Sequence, residues 1–352
     1  MKTEKDFISE FYYNLVERGE TQSQCSSNIA LVKYWGKYDY QIPANPSISY
    51  TLTNSYTQTS IRFEKAEKMS VKVFLDGVLQ EKFAEKIEKY FHSIQKYLPF
   101  IPLYQYIIHT HNSFPHSSGI ASSASGFGAI ALCLMEIAEQ LGEISSSEIK
   151  KCKASFLARL GSGSACRSLY DGLAVWGKHE KIPESSDLYA VPFPFEVHEI
   201  FRKMQDTVLL IHEGEKKVSS TVGHKLLDNH PYAQARFNEA YQNLSSMTDI
   251  LRSGDIEAFG QLVEHEALTL HAMMMTSMPA FILMKPMTVA AIEKIWDYRK
   301  LTSQPLYFTL DAGANIHLLY PEKDKNMIFN FIKHDMLKYT QNGCLIQDKS
   351  SL

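Results

Sequence analysis

The sequence contains no run of about 18 consecutive apolar residues, the length that spans a bilayer. Even its longest apolar passages, such as GFGAIALCLMEIA, soon meet charge. The opening stretch, MKTEKDFISEFYYNLVERGE, lacks both the apolar centre and the small-residue cleavage site of a secretory leader. Cysteine is scarce: Cys25, Cys133, Cys152, Cys166 and Cys344 are scattered and form no C-x-x-C pair. An odd, dispersed set argues against a disulfide framework or zinc knuckle and predicts a reducing, cytoplasmic setting. A basic surplus is missing too, since 36 Lys+Arg against 39 Asp+Glu leave a net charge of −3. That balance removes the footprint of a nucleic-acid binder, although a local basic pocket for a small anion is still allowed.

Several motifs are equally absent. Neither the Walker pattern G-x-x-x-x-G-K-S/T nor the dinucleotide fingerprint G-x-G-x-x-G occurs, and no G-x-S-x-G elbow suggests that type of hydrolase. His265 and His271 are six apart rather than four, so they do not share a helix face as zinc ligands would. His109, His111 and His116 have no cysteine or acid beside them in sequence, and the methionines at 273–275 read as core filling.

What remains is ample material for a core: 352 residues, 45% hydrophobic, 12% aromatic and 21% charged. That size allows two domains or one bilobal unit. Residues 1–20 read as an amphipathic helix, with Phe7, Phe11, Leu15 and Val16 near one face. β-branched and aromatic alternation from Ser27 to Phe63 reads as strands, and VKVFLDG adds another before an Asp-Gly turn. Residues 80–97 predict a surface helix, YQYIIHTHNSF a strand, and 120–142 and 145–160 two more helices. Three prolines near 180–197 mark the expected boundary between lobes 1–190 and 191–352. MQDTVLLIHEG then reads as a strand, 225–300 as long helices, and LYFTLDAGANIHLLYP as two strands about a tight Asp-Ala-Gly turn. A helix at MIFNFIKHDMLKYT and a strand at NGCLIQD complete an irregularly interspersed pattern, which predicts α+β rather than doubly wound α/β.

Four segments could carry chemistry. PHSSGIASSASGF, from Pro115 to Phe127, is rich in serine and glycine and opens a helix. Backbone N–H groups at such a terminus suit phosphate, and serine hydroxyls add donors or touch a metal. Close helix packing explains small residues equally well. GSGSACRSLYDG joins Ser162 and Ser164 to the fork of Arg167, which suits phosphate or carboxylate, while a helix end with a surface arginine is the plain alternative. NIALVKYWGKYD sets Lys33 and Lys37 about the Tyr34–Trp35 pair, where a snorkelling lysine is the commoner outcome. Asp311 in YFTLDAGAN ends a strand and can project into a cleft, or can serve only its turn.

Taken in order, NIALVKYWGK, PHSSGIASSASGF, ARLGSGSACRSLYDG and LDAGANIHLLY resemble the diphosphomevalonate decarboxylase family of the GHMP kinase superfamily. The resemblance runs from about Asn28 to Cys344. It implies a bilobal α+β fold: an N-terminal lobe like the second domain of ribosomal protein S five and a ferredoxin-like C-terminal lobe. It also implies ATP- and Mg²⁺-dependent phosphorylation of the 3-hydroxyl of mevalonate 5-diphosphate, with loss of phosphate and CO2. By motif, Asp311 matches the general base, Lys33 the lysine contacting that hydroxyl, and Arg167 the arginine of the catalytic group. Tyr34, Lys37, Ser162, Gly163, Ser164 and Arg167 match positions around substrate carboxylate and diphosphate, with Asn28 and Trp35 in the same first motif. Ser117, Ser118, Gly119, Ala121, Ser122, Ser123 and Ser125 match the nucleotide-phosphate region, Ser123 serving the metal. A homodimer, with small-molecule partners only, follows from the same resemblance.

The chain departs from that pattern at four places. His116-Ser117-Ser118 stands where Thr-Ala-Ala is usual, Pro46 replaces a serine, Ala314 replaces a proline, and His224-Lys225 replaces methionine with arginine or glutamine. Related enzymes act on mevalonate 5-phosphate or phosphorylate the 3-hydroxyl without decarboxylating, and a silent phosphometabolite binder is the remaining alternative. Intact Lys33, Asp311 and Arg167 favour an enzyme over a binder.

Overall fold

The computed structural model describes residues 2–9, 15–115, 120–212, 214 and 220–352. In the first half, strands β1 (Arg18–Val32), β2 (Lys37–Tyr38), β3 (Ile42–Pro43), β4 (Ser47–Lys65), β5 (Ser70–Leu75) and β6 (Val78–Leu79) lead to helix α1 (Glu81–Ile94). Strand β7 (Tyr104–Asn112), helices α2 (Ser122–Gln140) and α3 (Ser147–Gly161), and strands β8 (Leu173–Trp176) and β9 (Val191–Pro192) follow. Seven of these strands form one sheet, in which β4 pairs with β1 along one edge. Its other edge takes β8 over Ser47–Tyr50 and β7 over Thr57–Lys65.

The burial of β4 explains its composition. From Ser55 to Phe63, buried Thr57, Thr59, Ile61 and Phe63 alternate with more exposed residues, as in a strand with one wet face. From Ser47 to Leu52 every residue is buried, because the second half of the chain covers the other face. Helix α2 crosses this sheet closely. A Cβ on Gly128 would collide with the Cys25 sulfur, so the small-residue stripe does serve packing here. At the far edge, Asp76 and Gly77, both with positive φ, close the two-residue turn expected between β5 and β6.

The second half contributes β10 (Gln205–Leu209), helices α4 (Ser220–Lys225), α5 (Ala233–Ser253), α6 (Ile256–Met275) and α7 (Pro286–Thr302), and β11 (Tyr307–Thr309). Strand β12 (Ile316–Tyr320), helix α8 (Lys325–Phe331) and β13 (Leu345–Lys349) complete it. An antiparallel sheet of order β11-β12-β10-β13 results. One face of this sheet, with Leu209, Phe308, Leu318 and Tyr320, packs on Ile292, Ile295, Ile328 and Ile332. The opposite face meets β4: Tyr50 donates to Asp206, while Thr53 and Asn54 backbone N–H groups donate to Asp348. The largest apolar core accordingly spans both halves, from Phe7 and Leu52 to Val208, Leu244 and Val263.

The mixed α+β architecture agrees with the sequence reading, but three local expectations fail. The described residues of 1–20 form a short turn and the start of a strand rather than a helix, and Phe11 lies outside the described residues. Asp6 accepts from the Thr3 N–H and hydroxyl to close a single short turn, Phe7 stacks on Phe156 at 4.3 Å, and pairing with Glu64 begins at Arg18. Long-range sheet pairing has overridden helical periodicity there. The segment between β11 and β12 is the loop 310–315 rather than a tight turn. The helix after 325 changes to a π turn at Ile332–Met336 and a 3₁₀ turn at Leu337–Tyr339. Val191–Pro192 still pairs with β8, just past the expected lobe boundary.

Candidate active site

Lys33 follows directly on β1, between the two halves of the molecule. Its side chain is only 2% exposed, and Nζ lies 3.0 Å from Oδ1 of Asp311, whose side chain is 30% exposed. The pair thus has a dry cationic side and a carboxylate that reaches open space. Lys33 is also held by its backbone: its N–H donates to Oε2 of Glu266 on α6 at 2.8 Å. Glu266, itself fully buried, takes Arg236 Nη1 at 3.1 Å, Arg236 Nη2 at 2.5 Å and Asn243 Nδ2 at 2.6 Å. On the other side, His271 Nε2 donates to the Asp311 carbonyl at 3.1 Å. Burial lowers the His271 pKa to about 4, so this donor is neutral imidazole.

Arg167 is 2% exposed and lies under the same region. Its Nε donates to Ser49 Oγ at 2.9 Å, Nη1 to Ser47 Oγ at 2.5 Å and Nη2 to Asn28 Oδ1 at 3.5 Å. Asn28 in turn donates to Ser168 Oγ at 2.7 Å and to the Ser164 carbonyl at 3.3 Å. None of these acceptors is a carboxylate, so the guanidinium charge remains available to an anion, and Asp311 is within its electrostatic reach. A surface arginine would not be built in this way.

Tyr34 and Trp35 frame a third wall. The His224 ring lies 4.4 Å from Tyr34 and 4.7 Å from Trp35, and its Nδ1 accepts from the Gly36 N–H at 3.0 Å. Burial first, and then Lys37, lowers the His224 pKa to about 3, so that ring is neutral with its proton on Nε2. The Tyr34 hydroxyl is buried with no partner among the described residues, beside Gly163, where a Cβ would press on it. Lys37 donates to Gln41, and burial pulls its pKa down. Ser162 ends α3, its N–H donating to Ala158. Trp35 turns into the core against Gly223, Met274 and Leu270, which confirms the methionines at 273 and 274 as filling.

An open cleft lies between α1, β5, β7 and α2. Val73, Phe83, Ile87, Ile108 and Phe127 give it apolar walls, while Lys86, Asn112, Ser122 and Ser123 are its polar lining. The cleft shares no lining residue with the Lys33–Asp311 group, but the Ser27 hydroxyl, next to Asn28, donates to the Ile120 carbonyl at 3.3 Å and ties the two together. Ala121 precedes α2. Ser125 is turned inward: its hydroxyl is spent on Thr57 at 2.6 Å and the Ser122 carbonyl, whereas its neighbours Ser122 and Ser123 line the cleft. Ser117, Ser118, Gly119 and His116 lie outside the described residues. Among those described, no cluster of three His, Cys, Asp or Glu side chains could hold a metal by itself.

Sequence reading missed Glu266, Arg236, His271, Asp206 and His317. Glu266 and Asp206 bond across the halves, to Lys33 and Tyr50, while Arg236, His271 and His317 meet partners distant in sequence within the second half, so no local spacing signals them.

Two family models divide the chain: the diphosphomevalonate decarboxylase-like N-terminal domain matches residues 25–190, and the mevalonate 5-diphosphate decarboxylase C-terminal domain matches 207–351. The chain belongs to the diphosphomevalonate decarboxylase family. A Ganoderma lucidum diphosphomevalonate decarboxylase is 28% identical over 327 residues, 87% of this chain and 79% of that one. A Haloferax volcanii phosphomevalonate decarboxylase is 27% identical over 297 residues, 82% of this chain and 84% of that one. Among solved structures, mevalonate diphosphate decarboxylase from Staphylococcus aureus superposes with TM-score 0.81 at 29% identity, covering 95% and 96% of the two chains. MDDEF, seen in complex with MVAPP, AMPPCP and magnesium, gives TM-score 0.81 at 27% identity, covering 95% and 97%. The family fold is therefore the two-lobed one described above.

Proposed function

We propose that this protein is an ATP-dependent decarboxylase of mevalonate 5-diphosphate, yielding isopentenyl diphosphate, ADP, phosphate and CO2 for isoprenoid synthesis. The observation that carries this reading is the Lys33–Asp311 pair, dry on one side and open on the other, with the Arg167 guanidinium in electrostatic reach. A tertiary hydroxyl is a poor nucleophile and a poor leaving group. In this reading Asp311 accepts a hydrogen bond, and then the proton, from the 3-hydroxyl as it attacks the γ-phosphoryl group. Lys33 offsets the negative charge that develops there. Arg167, with Ser47, Ser49 and Asn28 fixing its plane, orients the substrate carboxylate. When phosphate leaves, the C–O bonding electrons go with it, and the C–C bonding electrons of the departing CO2 form the new double bond. The buried Trp35 wall and the Tyr34–His224 stack keep water from the electron-poor carbon.

The apolar cleft fits a nucleotide base, and Ser122, Ser123 and Lys86 suit its phosphates. Magnesium carried by the nucleotide phosphates would be held on the protein side by the Ser123 hydroxyl at the cleft, and would supply neutralisation of phosphate charge. Tyr34, Lys37, Ser162, Gly163 and Ser164 are assigned to the diphosphate end. The division into lobes 1–190 and 191–352 is part of this proposal, and five cysteines without a disulfide support a cytoplasmic setting. A homodimer is the assembly to test by sedimentation.

A monophosphate substrate is the second reading. It is supported by a wall whose histidine is uncharged and by the phosphomevalonate decarboxylase relative. Purified protein with ATP, Mg²⁺ and mevalonate, its 5-phosphate or its 5-diphosphate, followed for CO2 and ADP, decides between them. CO2 from the diphosphate upholds the proposal, and CO2 from the monophosphate alone replaces it with the second reading. ADP without CO2 indicates a 3-kinase, and neither product indicates a binder.

A further inference from the structure

Behind the Lys33–Asp311 pair, the sheet of the second half carries a buried histidine that no step above uses. His317 on β12 is 1% exposed, and its Nδ1 lies 2.9 Å from both oxygens of Asp206 on β10. A carboxylate only accepts, so Nδ1 carries the proton. Asp206 is fully buried and takes a second hydrogen bond from the Tyr50 hydroxyl of β4 at 3.3 Å. The imidazole plane is thereby fixed by groups from both halves of the molecule.

The other nitrogen is the unusual one. His317 Nε2 is buried and has no hydrogen-bond partner among the described residues. In register, His317 stands opposite Thr309 on β11, whose hydroxyl is likewise buried without a partner among the described residues. Thr309 is two positions before Asp311 and ends the strand that delivers it. A purely structural position in this sheet calls for an apolar side chain, since a buried unmatched polar group costs about 1–3 kcal/mol. Here two such groups occur together, beside the loop that holds the carboxylate.

The charges facing His317 come from every element around it: Asp206 on β10, Tyr50 on β4, Asp311 in the loop after β11, Lys33 after β1, and Asp348 on β13 opposite Asp206. Burial opposes a proton on both nitrogens and Lys33 opposes it weakly, but Asp206 and then Asp311 favour it, and the balance raises the His317 pKa.

Resting on the functional reading above, we propose that His317 is a positioning residue: held by Asp206 and seated opposite Thr309 in the strand that delivers Asp311, it acts through Asp311 and keeps that carboxylate ready for the substrate hydroxyl. Asp206 and Tyr50 set the clamp, and Lys33 holds the same carboxylate from the opposite lobe.

The test uses the full chain with ATP, Mg²⁺ and mevalonate 5-diphosphate, and compares His317→Gln, Asp206→Asn and Thr309→Val with the unaltered protein across pH. Removing the cation makes an ionised Asp311 harder to keep, so the acidic limb of kcat/KM moves to higher pH in His317→Gln, by roughly half a unit or more. Asp206→Asn moves it the same way by less. In both, kcat falls several-fold while KM for the phosphorylated substrate changes less than about twofold. Thr309→Val, which alters packing but no charge, leaves the limb in place. Imidazole ¹⁵N shifts of the unaltered protein read the charge of His317 without any variant and show both nitrogens protonated at pH 7. A neutral His317 in that spectrum, or variant profiles that superpose on the unaltered one, overturns the inference while leaving the decarboxylase reading intact. Absence of CO2 from the unaltered protein overturns the functional reading, and the role given to His317 falls with it.

Discussion

Lys33 and Asp311 are 278 positions apart in sequence and 3.0 Å apart in the folded chain. The first follows directly on β1 and the second lies in the loop between β11 and β12, so the pair exists only when both halves are docked. Asp311→Asn keeps size and neutral hydrogen bonding but removes the proton acceptor. We expect kcat to fall by about 10²- to 10⁴-fold with little change in thermal midpoint or substrate affinity. Stopped-flow CO2 release with parallel isothermal titration checks it, and near-normal turnover would remove Asp311 from its role.

Arg167→Ala is expected to act on binding. The lost guanidinium leaves Ser47, Ser49 and Asn28 without their donor and the substrate carboxylate without its partner. KM for the phosphorylated substrate should rise by roughly 10- to 100-fold, more than kcat falls, because charged hydrogen bonds are worth about 1.5–3 kcal/mol. An unchanged KM contradicts the placement.

Gly126 lines the cleft beside α1, and a Cβ there would meet nothing within 4 Å. Gly126→Leu therefore fills the space proposed for the nucleotide while relieving a helix of its glycine, which is worth about 0.5–1 kcal/mol. The expected result is a higher KM for ATP, an unchanged KM for the phosphorylated substrate and an equal or higher melting temperature. A lower KM for ATP would place the nucleotide elsewhere.

His224 stays neutral down to about pH 3 when folded, against an ordinary value of 6.5. Below 6.5 the unfolded chain binds a proton that the native one refuses. Its contribution to stability is therefore constant above that pH and is lost as pH falls from 6.5 towards 3, by about 1.4 kcal/mol per unit. His271, neutral to about pH 4, adds a slope of the same sign. Urea unfolding of His224→Met between pH 7 and 4.5 should show a shallower loss than the unaltered protein, about half as steep. Parallel slopes would show that His224 is already charged in the native state.

The four motifs were legible because each is local: small residues before α2, serines beside Arg167, lysines around an aromatic pair, an acid after a strand. Strands β4, β5 and β7 were equally legible from alternation and from the Asp76–Gly77 turn. The supporting polar groups were not. Glu266 reaches the Lys33 backbone from α6, and Asp206 meets both His317 and Tyr50 across a lobe contact, so neither leaves a periodic trace. His271 was dismissed on zinc spacing, and its actual partner is a main-chain carbonyl 40 positions away. The opening helix was misread because Phe7 stacks on Phe156 from a short turn and Arg18 already pairs with Glu64 in the sheet.

The grip of Glu266 on the Lys33 backbone, itself secured by Arg236 and Asn243, has a consequence for traffic through the site. Arg236, Asn243 and Glu266 all belong to the second half, so parting the halves at this point breaks one hydrogen bond, that of the Lys33 N–H, and leaves the carboxylate paired. Opening at this anchor therefore costs a single main-chain donor, and reclosing needs no charge to find a new partner.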